Sequence, residues 1–458
     1  MWLDNLPEQL ANFSCELTEL QSQFLPVTSD EPFQLVSYAG LLKWWSEKND
    51  KSSIWWLPWQ LLPELGHINS VVKTGTMAMH QPQVVAQNTA QSSTVQLVSG
   101  SLATVPLYYS LDLSSVFQPQ LLWFIEPTQP GFAELAGSMA KPLLLPLGDE
   151  QKLSVILPNT APAPAQVLLY MADAQTGEFR AKLVAEQNVA AVSGAVTVFD
   201  QSMDLTPDTL VFATKNGQVW QAGFEQNQFF NLQQLTDFTG KEIQDIHFVR
   251  MIYAATPTGG TGSDFHSRRS QWLLLLQGVY DQSSLLMVVK LQVGSVVVWS
   301  DLVDRTLPKA PLQSLLTSER WQDIQQKQGW YSLLNGYSAQ PPLVVAGVIY
   351  LTQNQTETSS ICQLSSSSSD LLALHLHNAA PMYKSSELQL EKPVGALAVS
   401  STSDGRFVLV DQHSQEVLLE SLVEITPACS SCSQTLRQDS FPRWHLLGTY
   451  HNEEGAYE

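Results

Sequence analysis

Asp200, Ser202, Asp204, Thr206 and Asp208 place an oxygen-bearing side chain at every second position of one short stretch. Carboxylate and hydroxyl oxygens are what a hard divalent cation such as calcium takes up, in shells of six to eight ligands. Three carboxylates held together without a cation repel one another, and their pKa values rise. The alternative is a loop closed by local hydrogen bonds, in which each Asp caps backbone N–H groups two residues on, as in an Asx-turn.

Other residue types that could do chemistry are sparse. Cys429 and Cys432 form a CxxC, but zinc needs two further ligands and no second pair lies nearby. A local disulfide or two thiols is the simpler reading, with Cys15 and Cys362 as the remaining cysteines. His375 and His377 occupy alternate positions on one expected strand face and lack a third metal partner. His266 lies beside Arg268 and Arg269 in a Gly/Ser-rich loop, and Asp149 and Glu150 read as solvated loop carboxylates. No G-x-S-x-G elbow is present, so a hydrolase of that kind has no support. The pairs Trp44-Trp45 and Trp55-Trp56 could form a sugar platform, although aromatic clusters more often pack in cores.

The elements that must hold the oxygen-rich stretch are strands. VTVF precedes it and TLVFAT follows, both rich in β-branched and aromatic residues. Asn216-Gly217 predicts a two-residue hairpin with positive φ, after which QVWQAGF returns. Similar segments recur along the chain. LLYMADAQTGEF reads strand, turn, strand, and SQWLLLLQGVYD, VGSVVVWSDL, GWYSLL and PPLVVAGVIYLT read as further strands. Residues 127–165 are Pro-rich and poorly periodic, which predicts a loop, and 365–369 is a serine run expected to be solvated. Leu10, Phe13, Leu17 and Leu20 recur at helical spacing, which predicts a helical entry segment over 1–32, and a helical excursion is expected at 311–328. Residues 33–458 are then expected to form a single all-β domain. Many short strands, turn residues between them and few helices favour a β-propeller of about seven degenerate blades, or a large sandwich.

Composition agrees with an exported β-rich protein. Only 14 % of the 458 residues are charged, and Ser, Thr, Gln and Asn take their place. The net charge is −20 and the sequence carries no basic stripe, so nucleic acid and anionic membrane surfaces are disfavoured partners while divalent cations are favoured. No apolar run is long enough to span a membrane. The stretch MWLDNLPEQL does not read as a signal peptide, so export is expected to depend on a leader outside this stretch.

Taken in order, these segments resemble the C-terminal β-propeller domain of the PilY family, the type IV pilus tip-associated biogenesis factors and adhesins. SYAGLLKWWSEKN is similar to that family's first-blade strand and turn, WLPWQLLPEL to the segment after it, and YYSLDLSSVFQPQLLWFIE to a strand ending in a Leu-Asp turn. LLYMADAQTGEF carries its Asp-x-x-Thr-Gly turn, and the stretch ending in Gly217 to Trp220 resembles its calcium-loop blade. The terminal FPRWHLLG falls in the family's order too. The departures are SGSLATVP where the family has a glycine-rich run, and serines after Cys362 where it has glycines.

The resemblance implies a non-enzymatic module for type IV pilus biogenesis and tip adhesion, exported through the periplasm to the pilus tip or cell surface. Its implied partners are minor pilins, the rest of its own chain, and a host or abiotic surface. It also implies calcium in the loop Asp-x-Asp-x-Asp-Gly-x-x-Asp, coupled to pilus extension and retraction. Asp200 then takes the first ligand position, Ser202 the third, Asp204 the fifth, Thr206 the seventh through its carbonyl, and Asp208 the ninth. Leu205 stands where the family has glycine, and a leucine in a left-handed conformation costs roughly 1–2 kcal/mol. The Arg-Gly-Asp tripeptide is absent. Two other classes compete. A quinone-dependent dehydrogenase propeller would carry adjacent cysteines, which this chain lacks; a carbohydrate-binding propeller would use exposed tryptophans such as Trp44 or Trp55.

Overall fold

Runs of β-branched and aromatic residues separated by turn residues become short antiparallel strands in a computed structural model of the chain. It describes residues 23–25, 33–38, 41–46, 54–64, 83–88, 93–100, 105–114, 119–137, 140–147, 152–160, 165–257 except 205 and 226, 268–306 except 282 and 293, 326–334, 340–356, 366–382, 387–390, 394, 396–402, 406–412 and 416–423. Among these residues the strands form seven sheets, nearly all built from strands consecutive in the chain. Local hairpin pairing of this kind keeps loop-closure entropy small.

The chain divides into two compact units, Met1–Val249 with Thr358–Leu364, and Arg250–Glu357 with Ser365–Glu458. In the first unit, β1 (Gln23–Leu25), β2 (Phe33–Tyr38), β3 (Leu41–Ser46) and β4 (Ile54–Trp56) make one sheet. A second holds β5 (Gln83–Asn88), β6 (Ser93–Gly100), β7 (Tyr108–Asp112) and β8 (Gln120–Ile125). A third holds β9 (Leu143–Leu147), β10 (Lys152–Pro158), β11 (Ala165–Asp173) and β12 (Phe179–Val189). The fourth contains β13 (Val192–Phe199), β14 (Thr209–Thr214), β15 (Gln218–Glu225) and β16 (Gln228–Asp237).

Within each unit, apolar faces of neighbouring sheets pack into shared cores. Val98, Tyr108, Trp123 and Ile125 of the second sheet share a core with Val155, Leu157, Val167 and Tyr170 of the third. The opposite face of the third, with Ile156, Leu168, Leu169 and Met171, packs on Leu210, Phe212, Trp220 and Phe224 of the fourth. Sheets buried on both faces explain why β14 is buried at every residue and reads as a continuous apolar run.

In the second unit, β17 (Ile243–Pro257), which starts in the first, leads to β18 (Arg268–Tyr280) and β19 (Ser283–Lys290). Two-residue strands β20 (Val297–Val298) and β21 (Val303–Asp304) precede β22 (Gly329–Leu334), which pairs antiparallel with β19 and parallel with β21. The sixth sheet is β23 (Leu343–Val345), β24 (Val348–Thr356), β25 (Ser366–His375) and β26 (Glu387–Leu390). The seventh is β27 (Leu397–Ser401), β28 (Phe407–Asp411) and β29 (Val417–Val423). Tyr350, Leu371 and Ala373 share one core with Val394, Leu397 and Leu409.

Several expectations change. Gln23–Leu25, inside the expected helical entry segment, is a strand paired with β2 through Phe24↔Gln34; the rest of that segment's helical pattern lies outside the described residues. Of the helix expected at 311–328 only residues 326–328 are described: Gln326 is helical, and the Gln328 N–H donates to Asp301 O at 2.8 Å. The Pro-rich 127–165 stretch contains β9 and β10. Pro146 is tolerated because β9 ends its sheet, with no strand pairing on its outer side among the described residues. Ser366–Ser369 begin β25, and Ser369 is fully buried with its Oγ accepting the Val394 N–H at 3.0 Å. All four cysteines and His266 lie outside the described residues.

The hairpin after β14 also differs. Only Gly217 has positive φ (83°), and its N–H donates to Thr214 O at 3.0 Å, so Lys215, Asn216 and Gly217 form a three-residue connection. This turn fits an αL glycine closing a type I turn, so Asn216 has no need of positive φ. The Asp-x-x-Thr-Gly turn is as expected: Gly177 has φ 73°, and Asp173 Oδ1 accepts the N–H groups of Gln175 and Thr176, each at 2.8 Å.

Candidate metal loop

The oxygen-rich stretch joins β13 to β14. Its neck is fixed by the pair Phe199↔Thr209 and by Asp208 N–H donating to Phe199 O at 3.3 Å. From the other side, Phe224 N–H of β15 donates to Asp208 O at 2.9 Å. The sheet therefore holds both ends of the loop, and Asp208 belongs as much to the sheet as to the loop.

The side chains form two groups. Asp208 is half-buried and turns back over the start of the loop. Its Oδ1 accepts the Gln201 N–H at 2.9 Å and the Thr209 hydroxyl at 2.8 Å, and its Oδ2 accepts the Ser202 N–H at 3.0 Å. Burial pushes the Asp208 pKa up, but the Gln201 N–H, the Thr209 hydroxyl and the Ser202 contacts outweigh it, and the net shift is downward. At the apex, Asp200 Oδ1 accepts the Ser202 hydroxyl at 3.1 Å and the Asp204 N–H at 3.2 Å, while Asp204 Oδ1 accepts the Thr206 N–H at 2.9 Å. Ser202, Asp204 and Thr206 are exposed. Met203 sits between the acidic residues at φ 61° and is 52 % exposed, so an L-residue with no packing reward takes the left-handed position. Leu205 lies outside the described residues.

The loop thus brings Asp200, Ser202 and Asp204 into one hydrogen-bonded turn and aims Asp208 at backbone N–H groups. Among the described residues, no three His, Cys, Asp or Glu side chains stand together as a metal-binding group. The oxygen chemistry suits calcium, but in this arrangement the carboxylates do not close a shell and are engaged by N–H and O–H donors. Gln201 and Thr209 are the participants that spacing did not reveal. The Thr209 hydroxyl, which also lies 3.2 Å from Gln201 Oε1, directly follows the last Asp, and that adjacency is the only sequence signal for it.

The other candidates are dispersed. His375 ends β25 and His377 lies in the turn after it, so they are not neighbours on a strand face. The rings are 5.7 Å apart and both are buried, the His377 N–H donates to His375 Nδ1 at 3.1 Å, and His377 Nε2 is 3.0 Å from Ala255 O. These contacts make a structural turn. Trp56 is half-buried with its ring 4.9 Å from that of Tyr109, a packing role.

No family model matches the sequence, and no curated protein matches it. Solved structures do. The chain is similar in fold to the C-terminal domain of Pseudomonas aeruginosa PilY1, at 14 % identity over 85 % of this chain and 92 % of that one, with a TM-score of 0.56. It also aligns with a computationally designed protein, Ika8 (11 % identity, 85 % and 96 % coverage, TM-score 0.32), and with the N-terminal domain of Nup159 (12 % identity, 87 % and 88 % coverage, TM-score 0.33). None of the described helices is long and apolar enough to cross a membrane.

Proposed function

We propose that this chain is a non-enzymatic module of the type IV pilus tip, its seven sheets acting as the blades of a propeller whose connecting loops meet minor pilins and an outer surface. The observation that carries this reading is the shared fold with the PilY1 C-terminal domain across nearly the whole of that domain. The ordered motifs, from SYAGLLKWWSEKN to the calcium-like loop, point the same way. A rigid sheet scaffold lets its loops vary without disturbing the core, which suits adhesion. In a strain encoding this chain, deletion of the full-length gene is expected to abolish surface pili and surface motility, with both restored by complementation. Unchanged piliation and motility in the deletion strain would overturn the reading.

Calcium is a separate part of the proposal. Asp200, Ser202, Asp204, Thr206 and Asp208 would bind it weakly, with a dissociation constant of roughly 10⁻⁴–10⁻³ M, as in extracellular modules with few charged ligands. Two features weaken the site: Ser202 supplies no charge, and Asp208 must exchange N–H partners for the ion. Occupancy would stiffen the loop and couple to pilus extension and retraction. Titration calorimetry on the purified chain is expected to show calcium heats that Asp204→Ala abolishes. Absence of both heat and a thermal shift at about 10 mM calcium, well above that range, would leave the loop as a hydrogen-bonded connector.

A further inference from the structure

We propose that a groove beside β8 docks an extended peptide segment carrying apolar side chains and a lysine or arginine. The groove has a volume of about 730 Å³ and lies within the first unit, between β8, the Gln129–Phe132 turn and the Thr176–Phe179 turn that joins β11 to β12.

The groove is preformed. Trp123 is 6 % exposed, and its indole N–H donates to Ala174 O at 2.7 Å, which fixes the ring. Gly177 lies against that ring: a Cβ there would come within 2.9 Å of Trp123 Cγ. Phe132 is buried and meets Phe179 edge-on at 5.5 Å, while Phe179 itself is 38 % exposed. Gln129, whose side-chain amide lines the groove, donates to Phe124 O at 2.9 Å. Among the described side chains, what remains to greet a ligand is apolar surface, the Thr176 hydroxyl, which accepts the Glu178 N–H at 3.3 Å, and one acid.

Two observations choose the occupant. The first is the edge. β8 ends the order β5-β6-β7-β8, so among the described residues no strand pairs with its outer side. Natural edge strands are blunted by charge, proline, bulges or covering loops; QLLWFI carries no charge and no proline, has a single bulge, and exposes Leu121 and Leu122. Leu122 sits at a register shift in the β7–β8 pairing, which turns consecutive leucines outward. An extended chain adds to such an edge through its main chain and places alternate side chains in adjacent pockets.

The second observation is charge. Among the described residues, Glu178 is the only charged one lining the groove, and it is exposed. The neighbouring cations are engaged elsewhere, Arg180 with Asp173 and Lys182 with Glu134 at 2.9 Å. On a chain of net charge −20, the complement is a cationic side chain beside apolar ones. The proposal does not rest on the pilus reading.

A phage-displayed library of random twelve-residue peptides, panned against the whole chain, provides the test. Selected peptides are expected to combine apolar residues with Lys or Arg. Their binding, measured by fluorescence polarisation, is expected to fall at least about tenfold for Leu122→Asp and for Glu178→Lys. Replacing Lys or Arg by Glu in the peptide is expected to restore binding to Glu178→Lys, which separates charge pairing from misfolding. Both side chains are exposed, and unchanged thermal midpoints confirm intact variants. The proposal is overturned if no peptide is selected, if the peptides lack basic residues, or if either variant binds as tightly as the parent.

Discussion

Gly329→Ala is expected to destabilise the second unit by about 4 kcal/mol or more, or to prevent its folding. Gly329 opens β22 at φ 138°, a conformation that L side chains rarely adopt. A Cβ there would lie 2.0 Å from Val288 O and 3.0 Å from Val289 Cα, and both contacts are backbone. No side chain can rotate away, so β22 would have to separate from β19, where Val289 pairs with Gly329 and Val288 with Trp330. Trp330 is 1 % exposed, and its indole N–H donates to Leu376 O at 2.9 Å, so the displacement would also strip a buried hydrogen bond. Gly240→Ala is the control: φ there is 82°, nothing lies within 4 Å of the new Cβ, and only the left-handed strain of about 1–2 kcal/mol is expected. Urea denaturation of both variants decides the matter. A Gly329→Ala protein within about 1 kcal/mol of the parent would show that β22 does not pair as described.

Acid is expected to weaken the second unit through His375. Its imidazole is buried at the end of β25, and burial pushes its pKa down from 6.5 to about 4. Above pH 6.5 the ring is neutral in both states and contributes no slope. Between pH 6.5 and about 4 the unfolded chain takes a proton that the folded chain refuses, so stability falls as pH falls, by about 3 kcal/mol in all. His375→Asn keeps an acceptor for the His377 N–H, now met by Nδ1 at 3.1 Å, and is expected to flatten the profile. An identical profile in parent and variant would remove His375 as the cause. In the first unit Asp245 acts with the opposite sign. Burial, partly countered by Lys215, raises its pKa from 3.8 to about 6, so the folded state takes its proton first as pH falls from about 6 towards 3.8. Asp245 therefore adds stability over part of the pH range in which His375 removes it.

Much of the architecture is written in local pattern. The strands flanking the oxygen-rich loop, the Asp173–Gly177 turn and the buried run of β14 all follow from residue type and period. Two departures from that pattern share a cause. Pro146 and the serines at 366–369 look like strand breakers when read alone. Yet an edge position excuses a missing N–H, and a buried hydroxyl that accepts a neighbour's N–H, as Ser369 does, is at no disadvantage. Whether a strand lies at an edge or a hydroxyl finds a donor depends on residues distant in the chain.

The sequence alone determined that strands would dominate, that they would pair with near neighbours, and that five oxygen-bearing side chains would share one loop between β13 and β14. Each of these depends on interactions within a few residues. Only the tertiary structure decided what those oxygens face: Asp208 is drawn back by the N–H groups of Gln201 and Ser202, and Met203 takes the left-handed turn. The groove beside β8 is likewise invisible in one dimension, because Trp123 and Gly177 meet only when the second and third sheets pack. Hydrogen-bond partners and cavity walls are chosen by three-dimensional proximity, and spacing along the chain fixes that proximity only where the chain turns directly back on itself.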